Sequence, residues 1–143
     1  MASSTVQFNP HSPIFKEGDE ATKIYIISSG EVLCLKNSKG KLIPVFKAGK
    51  GDVLGESSMV KGAPYTYSAV SLTNVQMIEM EASDMHEVLK LSPTWLSNLT
   101  MTMITRFNNT ANLVAANRIL HESIMSEEEF TPSREMEYKK LLS

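Results

Sequence analysis

The sequence predicts a mainly β domain with flanking helices: a sandwich, jelly roll or barrel followed by a long C-terminal helix. Residues 13 to 80 are short apolar runs punctuated by glycine, the pattern of several short strands at close spacing. From residue 83 the apolar positions change to a helical period. The chain has 143 residues, 42% hydrophobic and 21% charged, which suits one globular domain with a sizeable core.

The elements follow in order. "KIYIISSGEVLCLK" is a β-rich run, a Ser28-Ser29-Gly30 turn and a second run. "NSKGK" is a polar turn around Gly40, and "LIPVFKAGKGDVLG" follows it. "YTYSAVSLTNVQMIEME" is rich in β-branched and aromatic residues with partial alternation. Gly18, Gly30, Gly40 and Gly51 fall at the expected turns. Cys34 lies among apolar neighbours in Val32-Leu33-Cys34-Leu35, so it reads as a small sheet residue rather than a nucleophile. As the one cysteine it allows no internal disulfide, which points to a reduced, cytoplasmic setting.

In the helical half, Ser83 is the expected cap of a helix through Met85, Val88, Leu89 and Leu91. Ser92-Pro93 reads as a second cap with proline at the first helical position. The helix it opens is expected to run to about Ser126. One stripe of it, Leu99, Met103, Arg106, Thr110, Leu113, Asn117, Leu120 and Ile124, has heptad spacing. That stripe fits a helix–helix seam, hence a homodimer through residues 93–125. The other reading of the first half is packing on its own sheet through Leu96, Leu99, Met103 and Phe107. The Met-rich "LTMTMITRF" is either core or an adaptable partner surface. "SEEEF" is an acidic break, and Thr131-Pro132 repeats the cap-plus-proline signal. Residues 132–142 are then a terminal helix or a mobile tail, dividing the chain into 1–125 and 126–143.

Composition excludes several classes. A net charge of -2 gives no bulk attraction to DNA or an anionic membrane. "MASSTVQFNP" lacks a basic segment followed by an apolar run, so no signal peptide is expected, and no apolar stretch approaches membrane-spanning length. His11, His86 and His121 are far apart and have no partnered cysteines, so no metal site is expected. No nucleophile elbow, Walker loop or dinucleotide fingerprint is present, so the chain is not expected to be an enzyme and no cofactor is implied.

One stretch carries chemistry. "GDVLGESSMV" places Gly55-Glu56 at a strand end before Ser57-Ser58. A one- or two-turn helix starting there presents free backbone N–H groups, which favour an anion. Gly55 lets backbone approach a ligand closely. Glu56 repels phosphate, but suits a site that accepts hydrogen bonds from sugar hydroxyls. Equally, it is an ordinary acid in the first turn of a helix.

Taken in order, Glu17-Gly18-Asp19, Gly30-Glu31-Val32 and Gly51-Asp52-Val53-Leu54-Gly55-Glu56 resemble the cyclic nucleotide-binding domain family over roughly residues 10 to 125. That family includes bacterial cAMP-responsive regulators, kinase regulatory subunits and gated channels. The resemblance implies an eight-stranded jelly roll and a phosphate-binding cassette from Gly55 to Thr66, whose Glu56 meets the ribose 2′-hydroxyl. The family's cassette arginine, which pairs with the cyclic phosphate, is replaced here by Tyr65 within Pro64-Tyr65-Thr66. A charge-assisted contact of that kind contributes about 1.5–3 kcal/mol, so its loss weakens cAMP binding roughly tenfold to more than a hundredfold. The remaining candidate contacts are the backbone N–H groups of Ser57 and Ser58 and the hydroxyls of Tyr65 and Thr66. Arg106, Asn109 and Thr110 of the long helix are candidates for phosphate or base, while Lys61 reads as a solvated loop charge. The implied function is a sensor module for cAMP or another cyclic nucleotide, a cyclic dinucleotide included, that relays binding through the long helix. The alternative is a dimeric interaction scaffold with a vestigial pocket. No helix-turn-helix is readable in residues 106 to 143, so the output is expected to pass through a protein partner rather than DNA.

Overall fold

The structure is a computed structural model and describes residues 3–117 and 129–143. Its strands are β1 (Ser3–Phe8), β2 (Pro13–Phe15), β3 (Lys23–Ser29), β4 (Val32–Ser38), β5 (Lys41–Ala48), β6 (Val53–Leu54), β7 (Ser68–Ser71) and β8 (Val75–Glu81). A short 3-10 helix, Glu56–Met59, follows β6. The helices are α1 (Ala82–Leu91), α2 (Thr94–Ala116) and α3 (Pro132–Leu141). Two antiparallel four-stranded sheets, ordered β1-β8-β3-β6 and β2-β7-β4-β5, form the expected jelly roll.

The Ser28–Gly30 turn hands the chain from β3 in one sheet to β4 in the other. Gly30 is forced there: its φ is +95°, and an added Cβ would lie 2.3 Å from the Asn74 carbonyl oxygen. Gly18, Gly40 and Gly51 also have positive φ, as their turn positions require. β4 shows the period-2 logic of a sheet buried on both faces. Val32 and Cys34 enter the main core, whereas Leu33 and Leu35 enter a second cluster on the opposite face. Pro44 is accommodated because β5 is a sheet edge, next to the register shift where Leu35 and Cys34 face Pro44 and Phe46.

β1 was not expected from the sequence. It pairs with β8 along its whole length, but its residues are exposed or only half-buried, so its pattern carries little apolar signal. Ser83 is not a cap. β8 runs directly into α1 with Glu81 at the cap position and no side-chain cap bond. The Ala82 N–H is satisfied instead by the Thr22 carbonyl at 2.9 Å. Ser92 turns back to close α1, donating to the Leu89 carbonyl at 2.7 Å, and Pro93 sits one position before α2 rather than in its first turn.

α2 buries Ile104, Ala111 and Ala115 and packs Phe107 and Val114 against the core. Leu99 and Met103, expected on that packed face, are exposed together with Leu113. Leu99 and Leu113 of the heptad stripe are thus turned to solvent, while exposed Met103 sits at the edge of a cavity shared with Ile24. α2 ends at Ala116 with Asn117 as its cap, short of the end expected near Ser126, and Leu120 and Ile124 lie outside the described residues. Thr131 caps α3 as expected, accepting from the Arg134 N–H with Pro132 at the first position. α3 seats Tyr138 and Leu142 on the face of β4 and β7 that carries Leu33, Leu35 and Val70. Glu135 of α3 accepts the Leu42 N–H of β5 at 3.1 Å.

Candidate functional site

Gly55 opens the 3-10 helix with φ +77°. A Cβ there would meet the Lys23 carbonyl oxygen at 2.9 Å and the Tyr65 ring at 3.1 Å, so its own chain already makes the close approach that a glycine permits. The Ser58 N–H, expected to be free for an anion, is instead taken up within the turn by the Gly55 carbonyl at 3.0 Å. The Ser57 and Ser58 hydroxyls are buried and have no hydrogen-bond partner among the described residues. His86 of α1 bonds the Ser58 carbonyl through Nε2 at 2.6 Å, and a carbonyl only accepts, so Nε2 carries the proton.

Past the turn, Pro64 bridges Glu20, and Thr66 and Tyr67 bend the chain into β7. Tyr65 and Tyr67 both point into the core. The Tyr65 ring stacks on Phe15 at 4.2 Å. Its hydroxyl donates to the Lys23 carbonyl at 2.8 Å and accepts the Lys23 N–H at 3.1 Å. The residue that the resemblance aligns with the family's arginine is thus held inward by Phe15 and the Lys23 backbone. Thr66, between the two tyrosines, donates to Asn108 Oδ1 of α2 at 2.9 Å. Its carbonyl accepts from Lys36 Nζ, which also pairs with Glu17 at 3.2 Å.

Tyr67 is the residue that sequence reasoning missed. It is fully buried, with Phe15, Phe46 and Phe107 at ring-centroid distances of 5.4, 5.1 and 5.9 Å. Its hydroxyl donates to Glu56 Oε2 at 2.5 Å and accepts the Gly55 N–H at 3.0 Å. No local pattern announces it: Thr66 and Tyr67 lie in a bend, and the ring's inward direction comes from packing with Phe15, Phe46 and Phe107. Burial raises the Glu56 carboxyl above its ordinary range, opposed by the Tyr67 hydroxyl and nearby backbone N–H groups. Burial also pushes the Tyr67 phenol well up, so it stays a donor at neutral pH.

Gly55, Glu56, Ser57 and Ser58 are thus brought together, with Tyr67 added. Arg106, Asn109 and Thr110 are exposed, and α2 turns Phe107 and Asn108 toward the cassette instead. Beside the nest, a mainly apolar cavity of about 470 Å³ lies between the 3-10 helix, α1 and α2. Its lining includes Ile24, Met59, Met85, Met103, Ile104 and Phe107, and Glu56 is the charged residue among the described residues that line it. Cys34 is wholly buried, and burial raises its thiol pKa, as suits a packing residue.

With two antiparallel sheets, a glycine-led turn carrying Glu56 and a long helix against the cassette, the class is set. Residues 5–92 match the cyclic nucleotide-binding domain family, and the chain belongs to it. It is 30% identical over 88 residues to the cAMP-dependent protein kinase regulatory subunit of Pyricularia oryzae, covering 62% of this chain and 22% of that protein. The cAMP-bound form of the EAL enzyme Bd1971 superposes with a TM-score of 0.70 at 22% identity, over 80% of this chain and 30% of that one, a likeness of fold. The regulatory subunit of a cAMP-independent protein kinase A from Trypanosoma brucei superposes with a TM-score of 0.54 at 26% identity, over 68% of this chain and 41% of that one. The chain spans less than half the length of each of these three proteins. No helix among the described residues is long and apolar enough to cross a membrane.

Proposed function

We propose that this chain is a non-enzymatic regulatory sensor module for a cyclic nucleotide, which relays the state of the Gly55–Ser58 nest through α2. The observation that carries the reading is the pair of ties between cassette and helix: Thr66 bonded to Asn108, and Phe107 edge-on to Tyr67. A ligand that shifts Thr66 or Tyr67 cannot leave α2 where it is, and such differential contact is what a population shift requires. The ligand, cAMP or another cyclic nucleotide, is read by Glu56 through its sugar and by the nest through its phosphate. Affinity is low because Tyr65 stands where the resemblance expects the arginine, and no arginine among the described residues faces the phosphate. Arg106, Asn109 and Thr110 serve the ligand only if α2 turns about its axis. The exposed stripe of Leu99, Met103 and Leu113 is offered to a second copy or a protein partner.

Calorimetric titration with cAMP, cGMP and cyclic di-GMP tests this. A weak isotherm that Glu56→Ala abolishes supports it; no heat and no thermal shift at millimolar ligand retires it. The second reading, a ligand-independent interaction scaffold, is favoured by one observation: Tyr65 spends its hydroxyl on the Lys23 backbone and offers the nest nothing. The similar regulatory subunit from Trypanosoma brucei belongs to a protein kinase A described as cAMP-independent, which is compatible with a pocket that does not serve cAMP.

A further inference from the structure

We propose that Tyr67 is a built-in stand-in for the ligand's sugar hydroxyl, and that this residue decides whether the nest accepts a ligand. The proposal rests on the cyclic nucleotide reading above and names what controls that site.

A hydroxyl has one proton to give and lone pairs to receive. Tyr67 uses both inside the nest, giving its proton to Glu56 Oε2 at 2.5 Å and receiving the Gly55 N–H at 3.0 Å. The first distance is that of a charge-assisted O–H···O⁻ bond. A sugar hydroxyl approaching Glu56 would seek the same partner. Here the hydroxyl arrives from the core side, on a ring held among Phe15, Phe46 and Phe107. Glu56 also lines the adjoining 470 Å³ cavity, so a ligand entering there meets a carboxylate already engaged. A half-buried carboxylate gains from each donor it meets, and in the empty state Tyr67 adds one to the backbone N–H groups already beside Glu56. The empty state is thereby stabilised against the bound one. Because Phe107 belongs to α2, the ring that bars the ligand also touches the helix that would report its arrival.

The test is calorimetric titration of cAMP and cGMP into the full chain, as wild type, Tyr67→Phe and Tyr67→Ala. Tyr67→Ala frees Glu56 and Gly55 and makes room, and its affinity is expected to rise about tenfold to a hundredfold, the worth of a charge-assisted bond no longer competing. Tyr67→Phe keeps the ring and its packing; a smaller gain in the same direction is expected, which keeps the test open if the alanine variant does not fold. A ligand-free readout is added: carbon-13 NMR titration of the Glu56 carboxyl, whose pKa is expected to rise in Tyr67→Phe as the stabilising hydroxyl is lost. Equal affinities in all three proteins overturn the stand-in and leave the cyclic nucleotide reading intact. No binding to any of the three, all folded, overturns that reading and the stand-in with it. A Glu56 titration that Tyr67→Phe leaves unmoved also overturns the stand-in.

Discussion

α2 and α3 both close the jelly roll, and they do so in opposite ways. α3 is a polar helix with one anchor. Tyr138 and Leu142 seat it on Leu33, Leu35 and Val70, Glu135 ties it to the Leu42 N–H, and most of its other side chains, Met136 and Leu141 included, are exposed. α2 has two apolar faces. Ile104, Phe107, Ala111 and Ala115 serve the core and cassette, while Leu99, Met103 and Leu113 are left exposed. A helix with one apolar face finishes its work within its own chain. One with a second face keeps something for a partner.

The comparison breaks most readily at α3. Tyr138 is 1% exposed and covers side chains that are otherwise bare sheet surface. Tyr138→Ala is expected to lower stability by about 3–5 kcal/mol, as other buried aromatic truncations do, and to leave nucleotide affinity unchanged. Urea unfolding and calorimetry check the two halves of that statement. A loss under about 1 kcal/mol would place α3 among ordinary surface segments.

The cassette side of α2 is expected to show itself through pH. The folded Glu56 carboxyl has a pKa raised from 4.5 by burial. The folded state then holds this proton more tightly than the unfolded chain does. Stability from this group is full below about 4.5 and falls as pH rises through the folded value. Glu56→Gln keeps an acceptor for Tyr67 and removes the titration. Thermal unfolding from pH 4 upward is expected to give a flatter profile for the variant; parallel profiles would mean that Glu56 titrates in the fold as it does in the unfolded chain.

The smallest effect on stability, and the sharpest on assembly, belongs to the outer stripe. Met103→Lys with Leu113→Lys is expected to change monomer stability by no more than about 0.5 kcal/mol per site and to abolish self-association in sedimentation velocity. A wild-type chain that sediments as a monomer would reserve that face for a different protein.

The sequence made some of this legible for physical reasons. Glycine turns and apolar runs report the strands, because positive φ and two-faced burial restrict residue type strongly. Thr131-Pro132 reports α3 because cap geometry is local. Gly55-Glu56 reports the nest because its ordered neighbours fix the context. What stayed hidden depends on direction in space. The resemblance aligns Tyr65 with the family's arginine, but only packing against Phe15 turns it inward. The heptad stripe is real, yet which side of α2 meets the roll is settled by Phe107 and Ala111 fitting beside Phe46 and Tyr67, a long-range choice. Ser83 looks like a cap because nothing local reveals that Thr22 supplies the acceptor.

Cys34 lies at the centre of β4 with no surface exposed and a thiol held in its protonated form. An alkylating reagent therefore reaches sulfur only when the two sheets part. The rate at which the chain takes up a single label, followed by mass, is a direct clock for that parting, and a compound seated beside the sheets would slow the clock without any need to know its identity.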